Sequence, residues 1–204
     1  RRESLRALRE SASAKDIPGL LELVLRPAQS GDRAEAARSV AAVLRRSDAS
    51  RFSDVLSAFA NAGDTESRTA LMQVMGQSGN HTALLLLRRS LREEDANLKR
   101  AAILALGDWP DATPVPDLLD AARTASNPAH QVLALRGAVR LIGLPGASRA
   151  PRESVKLLAE AMSLARQADE KRSILALLPR FPTREALELA RASLNDAEVA
   201  AESK

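Results

Sequence analysis

Leu98-Lys99-Arg100-Ala101-Ala102-Ile103-Leu104-Ala105-Leu106-Gly107, followed by Asp108-Trp109-Pro110-Asp111, decides how the rest of the chain is read. The first nine residues are good helix formers, their apolar side chains recur at three- and four-residue spacing, and a glycine and then a proline stop them. Trp109 is the single tryptophan in 204 residues. The question is whether it marks a binding site or a joint between helices.

The stretch is not unique. Aligned on Leu106, one column holds Leu44, Met75, Leu106, Ile142 and Leu178, at separations of 31, 31, 36 and 36 residues. Three positions earlier stand Ala41, Met72, Ile103, Val139 and Leu175, and four earlier Val40, Leu71, Ala102, Ala138 and Ile174. Each copy therefore carries the apolar stripe of an amphipathic helix. Five positions earlier every residue is small: Ser39, Ala70, Ala101, Gly137 and Ser173. That column predicts a place where neighbouring helices come close. Asp32, Asp64, Asp95, Asn127 and Asp169 precede the helices as expected N-caps, with Asp32 and Glu35 spaced as a capping box. Gly76, Gly107 and Gly143 are expected to end three of them.

A second set of helices is predicted between these, centred on 17–24, 52–59, 84–91, 115–122, 155–162 and 187–194. The chain thus reads as about five helix pairs with a half copy at each end. A period of thirty-odd residues signals stacked units, none of which can bury its stripe alone. The expected fold is all-α, an α-α superhelix or α-solenoid, with residues 1–204 forming a single array. The opening on Arg1-Arg2-Glu3 without Met reads as a segment of a longer protein.

Composition agrees. Hydrophobic residues make up 45% of the chain and aromatic residues only 2%, so the core has to be built from Ala, Leu, Val and Ile on closely packed helices. No run of about 18 uncharged apolar residues exists, which removes a membrane-spanning helix. The absence of cysteine removes disulfides, thiol catalysis and thiolate metal sites. A net charge of +4 permits an acidic partner without requiring one.

At residues 98–107, following Asp95, the pattern resembles the second helix of a HEAT repeat, in the HEAT-like variety of bacteria that includes phycobilin-lyase-type repeats. The resemblance extends over nearly the whole chain and is sharpest at 82–107 and 169–199. It departs from the family pattern where Ala37 and Leu135 replace the basic residue held by Arg68, Lys99 and Lys171. In a HEAT array the second helices line the concave surface, and the resemblance implies a groove there.

Trp109 answers to the same register. Three residues after Leu106 stands Trp109 and three after Leu178 stands Phe181, each followed by proline. Thr82, Thr113 and Thr183 then stand where a cap for the following helix is expected. Trp-Pro and Phe-Pro therefore read as one joint used twice, an aromatic packed back on the next helix start while proline stops the last.

Catalytic constellations are missing from the sequence. His81 and His130 stand 49 residues apart without carboxylates at ligand spacing. There is no Gly-x-Ser-x-Gly elbow and no phosphate-cradling glycine loop. No metal site and no cofactor are expected, and no enzymatic activity. The one column with functional content lies six positions before Leu44 and its equivalents: Arg38, Thr69, Arg100, Arg136 and Arg172. Arg38, Arg100, Arg136 and Arg172 form a candidate partner-binding ladder bordering the groove that the resemblance implies. The competing and preferred reading is that each arginine covers apolar surface with its stem or pairs with a neighbouring acid.

The expectation is a non-catalytic, monomeric interaction scaffold, docking another protein or neighbouring domains of its parent chain. The alternative is nucleic-acid binding through the arginine ladder, as the resemblance to HEAT-like DNA glycosylases allows. It is disfavoured because Phe52, Phe59, Trp109 and Phe181 sit at packing positions rather than on a base-stacking surface.

Overall fold

Alanine and leucine at helical spacing make rods, and proline, glycine and Asx residues cut them to length. The computed structural model describes residues 2–26, 30–47, 51–145, 149–194, 196 and 199. Among these residues all the regular secondary structure is helical: α1 (Arg2–Ser11), α2 (Ile17–Leu25), α3 (Ser30–Arg46), α4 (Phe52–Asn61), α5 (Thr65–Ser78), α6 (His81–Ser90), α7 (Ala96–Gly107), α8 (Val115–Thr124), α9 (Pro128–Ile142), α10 (Pro151–Leu164), α11 (Ala168–Leu175) and α12 (Arg184–Ser193). The two predicted sets alternate. α3, α5, α7, α9 and α11 carry the aligned columns, except that α11 ends at Leu175 and Leu178 falls in a 3-10 turn after it, and α2, α4, α6, α8, α10 and α12 are the helices between them. Among the described residues no helix is long and apolar enough to cross a membrane.

The helices divide into two compact units, residues 1–110 and 111–204. In the first unit α1, α3, α5 and α7 pack side by side in chain order, α2 and α4 lie against α3 and α5, and α6 bridges α5 and α7. In the second unit α8 and α10 both pack on α9, while α11 and α12 close on α10. Each unit is therefore a short stack of helix pairs of solenoid type.

The apolar columns are the core. Val40, Leu71, Ala102, Ala138 and Ile174 are wholly buried, as are Met75, Leu106 and Ile142. Each fully buried leucine contributes roughly 1.5–3 kcal/mol against the entropy of ordering the chain.

Three of the five expected caps form: Asp64 accepts from the Ser67 N–H, Asp95 from Asn97 and Leu98, and Asn127 from Ala129. Two do not. α3 already includes Asp32, which is buried in its first turn. Glu35 turns away from a capping box and binds Arg9 at 2.6 Å and Arg38 at 2.7 Å, tying α3 to α1. At α11 the N-cap is Gln167, and one oxygen of Glu170 accepts from the N–H groups of Arg166 and Gln167. Asp169 lies inside the helix. A carboxylate near a helix start satisfies amides from several positions, so the neighbouring residues decide which one does it. Likewise Thr183 caps α12 through the Ala186 N–H, whereas Asn80 caps α6 in place of Thr82. The Thr113 N–H donates to Asp111 and the N-cap of α8 is Pro114.

Gly107 and Gly143 stand at the ends of α7 and α9 as expected, and Gly76 departs from expectation. Gly76 does not end its helix, which runs on to Ser78 and stops at Gly79 in the left-handed conformation (φ 68°). A Cβ on Gly76 would stand 2.3 Å from the Ala105 carbonyl oxygen, so here the backbones of α5 and α7 touch. This close approach falls six positions after the small column's Ala70, not at the small column that was expected to mark it. Pro110 packs its ring over Gly79, and Trp109 beside it is 2% exposed, which makes Trp-Pro a joint rather than a binding surface.

Neighbouring copies are stapled by polar side chains that reach exposed helix-end carbonyls. Arg45 donates to the Gln77 carbonyl (2.9 Å), Arg46 to Ala12 (3.2 Å), Gln131 to Leu164 (2.8 Å), and Arg180 to Gly143. The sequence separations of 32, 34, 33 and 37 each equal about one repeat. Carbonyls at a helix C-terminus lack intrahelical partners and carry partial negative charge, so a guanidinium both completes them and opposes the dipole.

Candidate docking face

In the first unit the second helices present one broad trough. It encloses about 600 Å³ and is lined by Arg33 and Ala34 of α3, Thr65, Glu66, Thr69, Ala70 and Gln73 of α5, and Asn97, Arg100, Ala101, Leu104, Ala105 and Asp108 from α7 and its cap. Residues at i, i+3 or i+4, and i+7 of each helix share a face, so the same columns contribute in each copy. The small column thus floors the trough, Ala70 and Ala101 lowering it between the helices, and Leu104 stands in it as one of the exposed large apolar side chains.

The charges across this trough are balanced. Arg33 pairs with Glu66 at 2.8 Å from the next helix, and Arg100 lies in the same lining as Asp108. Arg100 is exposed and makes no hydrogen bond or ion pair with another described residue. Carboxylates among the cations suit neither phosphate tracking nor a purely electrostatic partner. Asp64, at the start of α5, is held below the usual carboxylate range by the hydrogen bonds from the Ser67 N–H and hydroxyl.

In the second unit a smaller cleft of about 370 Å³ opens between α9 and α11, lined by Leu135, Arg136, Val139, Arg140, Asp169, Glu170 and Ser173. Arg136, Arg140, Asp169 and Ser173 stand in register columns that also line the trough of the first unit. Arg136 and Arg140 are exposed and, like Arg100, engage no described residue.

The four arginines singled out from the sequence therefore have different surroundings. Arg38 pairs with Glu35 and Arg172 with Asp169, each one turn back on its own helix at 2.7 and 3.0 Å. Arg100 lines the trough of the first unit and Arg136 the cleft of the second. The bridges between copies are made by other residues: Arg33 with Glu66, Arg123 with Glu160, and Arg152 with Glu185 at 3.0 Å. Sequence reasoning passed over Arg33, Leu104, Arg140 and Glu170. The signal for Leu104 was available, since it stands off the apolar stripe of its own helix. His81 is exposed and His130 is buried in the first turn of α9.

No curated protein matches the chain. Residues 53–136 match the family model for HEAT repeats, a span that runs from α4 into α9 and includes the stretch at 98–107. Over that span, with its paired helices in a fixed register, the chain is similar to HEAT repeats.

Proposed function

We propose that the chain is a docking module without catalytic activity of its own, and that the trough over α3, α5 and α7 is the surface on which a protein partner lies. HEAT repeats are in general protein-interaction scaffolds. The observation that supports the reading is the trough itself: an alanine-floored channel with an exposed leucine and unspent polar groups, built from columns that recur in every copy. Small residues let a partner backbone approach closely, and an apolar anchor beside polar groups is the usual composition of an interface centre and rim.

The test is a photo-crosslinking residue placed at Thr69 in the full chain, with adducts identified by mass spectrometry and then reconstituted with the purified partner. A discrete protein adduct that disappears with Leu104→Asp is expected. Adducts unchanged by Leu104→Asp, or nucleic acid as the crosslinked species, would overturn the reading.

A further inference from the structure

The cleft between α9 and α11 has a chemistry that the trough lacks. Arg136 and Arg140 stand one helical turn apart, so two like charges share one face of α9, an arrangement that disfavours the helix and brings no compensating partner from the described residues. Facing them from α11 are Asp169, already paired with Arg172, and Glu170. Glu170 is 3% exposed; one of its oxygens caps the Arg166 and Gln167 amides, and the other, Oε1, is buried with no hydrogen-bond partner. One wall thus lacks an anion and the other lacks a donor. Buried polar atoms in folded proteins are nearly always satisfied, so an orphaned carboxylate oxygen in the lining of a cleft is informative.

Resting on the docking reading above, we infer that this cleft receives an acidic segment of a protein partner, an Asp or Glu carboxylate bridging Arg136 and Arg140 while a backbone N–H of the same segment is directed to Glu170. Two guanidiniums one turn apart fit a carboxylate, with its two acceptor oxygens. The carboxylates of α11 select against a nucleic-acid backbone, which adds a negative charge at every residue and offers no amide donor near its phosphates. A peptide supplies both an acceptor and a donor within one residue.

The experiment is fluorescence anisotropy of a labelled, acetylated and amidated tetraglutamate peptide with the full chain, alongside inorganic phosphate and oligothymidylate as competitors. Saturable peptide binding is expected, weakened about tenfold in the Arg136→Gln, Arg140→Gln double variant and unchanged in Arg123→Gln. Both cleft arginines are exposed, so their loss leaves the fold intact. Glu170→Gln is the second variant, its circular dichroism confirming that α11 is still capped, and weaker peptide binding is expected. Absence of saturable binding to the parent chain, binding unaffected by the double variant, or stronger competition by oligothymidylate than by free tetraglutamate would overturn the inference. Because the crosslinker at Thr69 reports on the other unit, an adduct there with no peptide binding here would sink this inference and leave the docking reading standing.

Discussion

The two units solve one packing problem at different distances. In the first, Gly76 of α5 lies on the Ala105 backbone of α7, and the neighbouring second helices meet main chain to main chain. In the second, a Cβ on the equivalent glycine, Gly143, would meet first the side-chain methyls of Leu177, with the Arg140 carbonyl of its own helix at 3.5 Å. The first unit has a wide trough over three helices and the second a narrower cleft; each is lined by two arginines and two acids, but one arginine of the trough and both of the cleft engage no described residue. A repeat therefore fixes which residues face the partner, while the closeness of the helices sets the shape and charge of what they face.

The comparison can be broken first in the core. Leu106 is wholly buried, and Leu106→Ala should cost about 2–5 kcal/mol in denaturant unfolding. Leu178, in the same column but in a short 3-10 turn and slightly exposed, should cost less when truncated. Equal losses would mean that the two units pack alike. Next comes Gly76→Ala, whose Cβ has only backbone to displace; about 1–3 kcal/mol is expected. Gly143→Ala needs only Leu177 to change rotamer, and its melting temperature should shift by less. Asn127→Ala removes the cap of α9 and should cost about 1 kcal/mol, read as a loss of second-unit amide protection in hydrogen exchange.

The smallest effect is a pH dependence. Hydrogen bonds from Ser67 lower the folded pKa of Asp64, so the stability they contribute is present above the ordinary carboxylate value and is lost as pH falls toward the folded one. Asp64→Asn should flatten that part of the acid limb of melting temperature against pH, whereas Asn127→Asp in the other unit should introduce one. An unchanged acid limb in Asp64→Asn would show that the carboxylate charge contributes nothing at this cap.

Much of this was legible in advance. The columns on Leu106 located every second helix, and the apolar runs between them located the others, because burial at period 3.6 leaves a mark in sequence regardless of what lies opposite. The Trp109-Pro110 joint was legible for the same reason: proline and a lone aromatic act locally. What failed was partnership. Asp32 and Asp169 look like the three caps that formed, yet Glu35 is drawn to Arg9 and Glu170 takes the amides at α11. Gly76 looks like a helix terminator, yet the residue that matters to it is Ala105. The arginine column was visible, but not its division: Arg38 and Arg172 each pair with an acid three positions back, while Arg100 and Arg136 engage no described residue.

By itself the sequence determined the secondary structure, the period, the buried stripes and the likeness to HEAT repeats over residues 53–136, all of which follow from the order of side chains along one helix. The tertiary structure alone decided which helices touch through their backbones, which carbonyls the arginines complete, and which charges remain unspent in the trough and the cleft. Those are properties of distance between segments, and distances depend on how whole surfaces interlock, which a periodicity does not encode.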